Sequence, residues 1–224
     1  MHVPGADLSR KAGHQVQARW PAVVAALATG VLFYAMPESL TVGPGWLVFV
    51  IVGALMIPTS LSHRVKRFDL NEVFAYSTLA VITLAVLSSL ILLITRLPAH
   101  KETPVQLLRA AASLWLANLL VFASWYWRLD GGGPNERDKR GVHTDGAFLF
   151  PQMMMDPELR REMGEDRWSP GFIDYLFLAF NTSTAFSPTD VPVLSRWAKV
   201  MMIVQSMISL ATLALLAARA VNIL

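Results

Sequence analysis

The chain has 224 residues, 54% hydrophobic and 16% charged, with no cysteine and a formal net charge of +3. A soluble domain carries about 25% charged residues, so this composition points to a membrane. The lack of cysteine excludes a disulfide scaffold, a Cys-ligated zinc or iron–sulfur centre and a thiolate nucleophile.

Residues 1–19 form a leader with Arg10, Lys11 and Arg19. Uncharged or nearly uncharged apolar runs follow at 20–36, 46–62, 73–95, 105–127 and 200–218. Each meets the roughly 17–25 residues that cross a bilayer as a helix, the first two narrowly. None carries the polar stripe, every three or four residues, of a soluble bundle. The first run lacks a small-x-small cleavage site before Pro37 and is predicted to be a retained helix rather than a signal segment. These runs predict an all-α integral membrane protein with five transmembrane helices, the first four forming a bundle over 20–127. The net positive charge follows from cations flanking the runs and implies no nucleic-acid partner.

Short-loop cations set the expected orientation. The leader, and Arg64, Lys66 and Arg67 after the second run, put the N-terminus in the cytoplasm. The opposite side has only Arg96 and Lys101. The localisation expected is multi-pass, in a bacterial inner membrane. Residues 128–170 hold seven cations and nine acids, nearly half of the chain's charge. They are expected as a polar cytoplasmic loop.

Residues 171–224 carry the most information. The apolar part, 172–180, is about 14 Å long as a helix and cannot cross a hydrocarbon core of roughly 30 Å. Asn181, Thr182, Ser183 and Thr184 follow, then Ser187-Pro188-Thr189-Asp190 and Val191-Pro192 before the last run. A short apolar helix, a polar turn and a full span make the layout of a re-entrant pore loop. Irregular backbone at membrane depth is tolerated only where protein or a watery cavity surrounds it.

This module resembles the pore module of two-helix potassium channels, in which an aromatic pore helix leads into a Thr-Thr-Val-Gly-Tyr-Gly-Asp filter, a Pro, an Arg and an inner helix. The resemblance makes Tyr175–Phe180 the pore helix and Thr182, Ser183 and Thr184 the filter entry. It makes Asp190 the closing acid, Pro192 the following proline and Arg196 the start of the inner helix. Where that family has Val-Gly-Tyr-Gly, this chain has Ala185-Phe186-Ser187-Pro188-Thr189, one residue longer and glycine-free. Without glycine, and with Pro188 restricting Ser187, a stack of coordinating carbonyls is not expected. The loop is also expected on the cytoplasmic side, opposite to potassium channels. As a whole the chain is similar to a family of uncharacterised bacterial five-span membrane proteins. Tyr175-Leu176-Phe177-Leu178-Ala179-Phe180, Thr184 to Asp190, and Ala220-Val221-Asn222-Ile223-Leu224 carry that likeness, which implies no activity.

Elsewhere the residues read more plainly. Asp130-Gly131-Gly132-Gly133-Pro134 lacks the Gly-Lys-Ser/Thr of a phosphate loop and reads as a flexible exit turn. His143, Asp145 and Asp156 lack paired metal-ligand spacing and read as a solvated loop. Met153-Met154-Met155, beside Phe148-Leu149-Phe150, is expected to fold back onto the protein or the membrane interface. Residues 156–163 predict a short surface helix with Pro157 in its first turn. Asn118, Gln205, Ser206 and Ser209 are expected to bond helix to helix. Asp174 is either a pore-mouth acid or an ordinary acid at a helix N-terminus. Asn181-Thr182-Ser183 is a sequon without meaning at its expected depth. No Ser-His-Asp set, HExxH or acid pair lies within the runs, so no enzyme and no cofactor is expected.

The leading expectation is a channel-like protein, with the lipid bilayer as surroundings and a homo-oligomer, tetramer favoured, around an inorganic-cation pore. Its lining is expected from Asn181, Thr182, Ser183, Thr184, Phe186, Ser187 and Asp190, with Asp174 at the mouth. The rival is a non-conducting scaffold or sensor whose polar loop binds a partner. A small-solute transporter ranks third, since no pair of broken helices in two similar halves is visible.

Overall fold

A computed structural model of the chain describes residues 17–65, 67–96, 103–140, 143, 146–165, 168–187 and 190–221. The expectations placed on residues 1–16, Lys66, Lys101, Asp145, Pro188, Thr189 and 222–224 lie outside the described residues. Among the described residues all regular structure is helical, apart from one isolated antiparallel bridge between Phe148 and Val193.

The five apolar runs become α1 (Trp20–Tyr34), α2 (Trp46–Arg64), α3 (Phe68–Arg96), α4 (Pro104–Leu129) and, last in the chain, α9 (Arg196–Val221). Local chemistry sets their ends. Thr103 caps α4 by accepting from Gln106 N, while the Gln106 side chain accepts from Thr103 N, and Pro104 occupies the first helical position. Ser195 Oγ likewise accepts from Ala198 N at the start of α9. α2 runs through Pro58, and the Asn71 side chain on α3 donates to the Thr59 carbonyl at 2.7 Å. That bond ties the start of α3 to the last turns of α2.

Three helices, α3, α4 and α9, are long and apolar enough to cross a membrane, which supports a membrane protein. The 29 residues of α3 rise about 43 Å, against a core of roughly 30 Å. The 15 residues of α1 rise only about 22 Å, and the apolar part of α2 ends at Ser62. Among the described residues α1 and α2 are thus the shorter apolar helices beside the three long ones.

α4 is central, packing against α1, α3, α9 and the helix over Phe172–Thr184. Its buried faces carry Ala110, Ala111, Ala117 and Ala123, small residues that let backbones approach where lipid offers no hydrophobic drive for helix pairing. The outer faces keep apolar side chains such as Val31, Ile57, Leu84, Ile91, Ile203 and Leu210.

The stretch expected as a polar loop folds onto the end of α4. It contains α5 (Gly133–Arg140), α6 (Pro151–Met154) and α7 (Pro157–Glu162), and is followed by α8 (Phe172–Thr184). Phe148 and Phe150 are buried, and both rings meet the Tyr175 ring edge-on. The apolar patch beside the methionines thus closes over the foot of α8, while Met154 stays exposed.

Candidate functional site: the short helix and its anchors

α8 has 13 residues, a rise of about 20 Å. At its foot the Tyr175 hydroxyl donates to Asp130 Oδ2 at 2.7 Å, at the end of α4. Beyond its tip the chain returns. Leu149 N donates to the Pro192 carbonyl at 3.0 Å and Leu194 N to the Ala147 carbonyl at 2.8 Å. Ala147 N in turn donates to Asp130 Oδ1 at 2.5 Å. Both ends of the segment 172–194 are therefore fastened beside Asp130. α9 then leaves from the same end, parallel to α8. The Phe148 ring meets Tyr175 on α8 and Trp197 on α9, and further along Gln205 bonds to Ala179 and Ser183.

Those bonds belong to a buried polar network between α4, α8 and α9. Gln205 Nε2 donates to the Ala179 carbonyl and to Ser183 Oγ, each at 2.8 Å. Its Oε1 accepts from the Tyr126 hydroxyl at 2.5 Å. Asn118 Nδ2 donates to Ser209 Oγ at 2.9 Å and to the Gln205 carbonyl at 3.2 Å. Ser206 Oγ reaches the Thr182 carbonyl at 3.4 Å. In a medium without water such groups need protein partners, and Gln205 uses both ends of its amide.

The expected filter residues divide. The helix was expected to stop at Phe180, but it continues through Thr184. Thr182 Oγ1 donates to the Leu178 carbonyl at 2.8 Å and Thr184 Oγ1 to the Phe180 carbonyl at 2.9 Å. Ala185 N closes on the Asn181 carbonyl at 2.8 Å. Hydroxyls that read as part of a polar turn instead bond back along the helix, as they can in apolar surroundings. Thr182 and Ser183 are buried against the protein, Asn181 is half-buried, and Thr184, Phe186, Ser187 and Asp190 are exposed. Phe186 has φ +53°, the left-handed region. Between the tip of α8, its return and α9 lies an open groove of about 580 Å3, with Thr182, Phe186, Ser187, Lys199, Met202 and Ser206 among its walls.

Asp174 sits in the first turn of α8, where its Oδ2 accepts from Gly171 N at 2.7 Å. This is the geometry of an acid capping its own helix. Burial pushes its carboxyl above the ordinary value, against the pull of the Gly171 bond.

Sequence reasoning missed the anchor at the end of α4. Asp130 is fully buried. Besides Tyr175 and Ala147 it faces His143, whose Nε2 lies 3.1 Å from Asp130 Oδ2 with its side chain 4% exposed. His143 is therefore a core residue, not a solvated one. Arg137 is buried too. Its guanidinium donates to the Trp127 carbonyl at 2.9 Å, the Asp130 carbonyl at 2.5 Å and Gln17 Oε1 at 2.9 Å. The expected flexible turn is fixed. Gly133 adopts φ +87°, and a Cβ there would stand 2.6 Å from the Arg128 carbonyl. Only glycine fits both conditions. An acid followed by three glycines directly after Trp125-Tyr126-Trp127 was the available signal. No group of three or more His, Cys, Asp or Glu suited to a metal occurs among the described residues.

No family model, no curated protein and no solved structure matches this chain.

Proposed function

We propose that the chain is a channel-like membrane protein, in which α8 and its return form a re-entrant loop and line a pore together with α9. The observation that carries this reading is that a helix of about 20 Å enters beside Asp130 and its chain returns to the same place. α9 then runs parallel to α8. A loop of this kind can reach mid-membrane without crossing. α1 and α2 complete five spans, with the bilayer thinning around the shorter one. The N-terminus lies in the cytoplasm of a bacterial inner-membrane protein, and the loop enters from that side.

The pore forms between subunits of a homo-oligomer, most simply a tetramer, with the groove along α9 facing the axis. Its constriction is built by the exposed tip, Thr184, Phe186, Ser187 and Asp190, with Asn181 behind it. Thr182 and Ser183 hold α8 in place rather than contact the solute. The Phe180 and Asn181 carbonyls are engaged within the helix and the Thr182 carbonyl accepts from Ser206 on α9, so a permeant cation meets chiefly hydroxyls, an aromatic edge and the Asp190 carboxylate rather than a stack of carbonyl rings. Lys199, at the loop end of α9, limits cation occupancy there.

Purified protein in liposomes, loaded with potassium or sodium and given a voltage, is expected to pass cations. Asp190→Asn is expected to lower that flux severalfold. A monomeric mass in nanodiscs together with no flux under any gradient overturns the reading.

A further inference from the structure

A second cavity, of about 220 Å3, lies between α1, α2, α3 and α4 at the end where the N-terminal segment meets the membrane. It is separate from the α8–α9 groove and independent of any pore. Two guanidinium groups flank the Trp127 ring at its rim, Arg19 at 5.6 Å and Arg128 at 5.4 Å from the ring centroid. We propose that this cavity binds one acyl chain of an anionic phospholipid, whose phosphate sits between Arg19 and Arg128.

The charge at the rim is incompletely matched. Arg19 pairs with Asp138 at 2.5 Å. The Arg128 guanidinium has no hydrogen-bond acceptor and no ion pair among the described residues. Glu72, whose field reaches Arg128, forms no bridge with it. A rigid fork of donors held over an indole is well suited to phosphate oxygens. Burial holds the Arg19 guanidinium below its ordinary value despite Asp138, a cost that a phosphate beside it would relieve.

The walls below the rim select the rest of the ligand. They are largely apolar, with Ala22, Val23, Met56 and Ala75. The hydroxyls of Thr59, Thr78 and Ser124 each donate to a carbonyl of their own helix. A polar ligand body would therefore find few free donors, whereas an alkyl chain needs none. The volume falls below the roughly 300–1,000 Å3 of common ligand pockets, which suits part of one chain and excludes a bulky cofactor. The rim also lies at headgroup level. Trp20 is exposed at the start of α1, the aromatic placement of a membrane interface. Inside a bilayer the chain gains little by leaving lipid for the cavity, so selectivity resides in the headgroup.

Delipidated full-length protein in detergent, titrated with short-chain lipids and read by native mass spectrometry, tests this. Phosphatidylglycerol is expected to bind about tenfold more tightly than phosphatidylcholine of the same chains, because the choline cation opposes the two arginines. Arg128→Gln is expected to abolish that preference, and Ala22→Leu to weaken both lipids while keeping it. Glycerol phosphate without chains is expected not to bind. Equal affinity for the two lipids, a preference surviving in Arg128→Gln, or glycerol phosphate binding as well as the lipid overturns the proposal. If Arg128→Gln does not fold, the headgroup preference of the unaltered protein and the Ala22→Leu result decide it alone.

Discussion

Gln205 on α9 donates to Ser183 Oγ on α8 at 2.8 Å, and the same nitrogen donates to the Ala179 carbonyl one turn earlier. One amide thus ties the short helix to the long one, and through Tyr126 to α4. Position in the membrane makes that tie matter, since lipid cannot replace a lost partner. Measured couplings between transmembrane side chains nevertheless average only about 0.6 kcal/mol and reach about 1.7 kcal/mol.

A double-mutant cycle with Gln205→Leu and Ser183→Ala is expected to give a coupling within that range, read from unfolding in mixed micelles. Gln205→Leu alone is expected to cost more, about 1–3 kcal/mol, because it strands the buried Tyr126 hydroxyl and also removes the partner of Ser183 Oγ. Strict additivity would mean that Ser183 does not hold Gln205.

The anchor at Asp130 makes a different kind of demand, one of space. A Cβ on Gly146 would stand 2.4 Å from His143 Nε2 and 3.3 Å from Asp130 Oδ1. Gly146→Ala is therefore expected to destabilise the protein by about 1–3 kcal/mol, lowering its thermal midpoint in detergent. His143→Ala vacates the space, so the double variant is expected to be less destabilised than the sum of the two single ones. If the double variant loses the full sum, the imidazole is not what the glycine accommodates.

The apolar runs were legible because span length and charge depletion are local properties. The end of α8 was misread for an equally local reason. Thr182 and Thr184 favour turns in water, but here their hydroxyls bond to Leu178 and Phe180 and extend the helix. The Asp130 anchor could not be read from spacing. Its partners stand at 143, 147 and 175, distances in sequence that only the packed chain closes. A run of three glycines looked flexible because glycine permits many conformations, whereas here it was required for one.

Phe186 shows the same logic in reverse. It follows the last turn of α8 with φ +53°, the position and conformation where helices usually place glycine. A side chain there costs roughly 1–2 kcal/mol, and the ring gains little by way of burial, being 47% exposed. Phe186→Gly is therefore expected to stabilise the protein by about 1 kcal/mol, read as a higher thermal midpoint. Phe186→Ala keeps the Cβ and hence the strain, and is expected to give no such gain. Both variants remove the ring, so any effect on cation flux should be alike in the two. Stability that follows the Cβ while flux follows the ring assigns the strained residue to the proposed constriction rather than to the fold. Equal midpoints for Gly and Ala would show that the left-handed turn carries no strain to release.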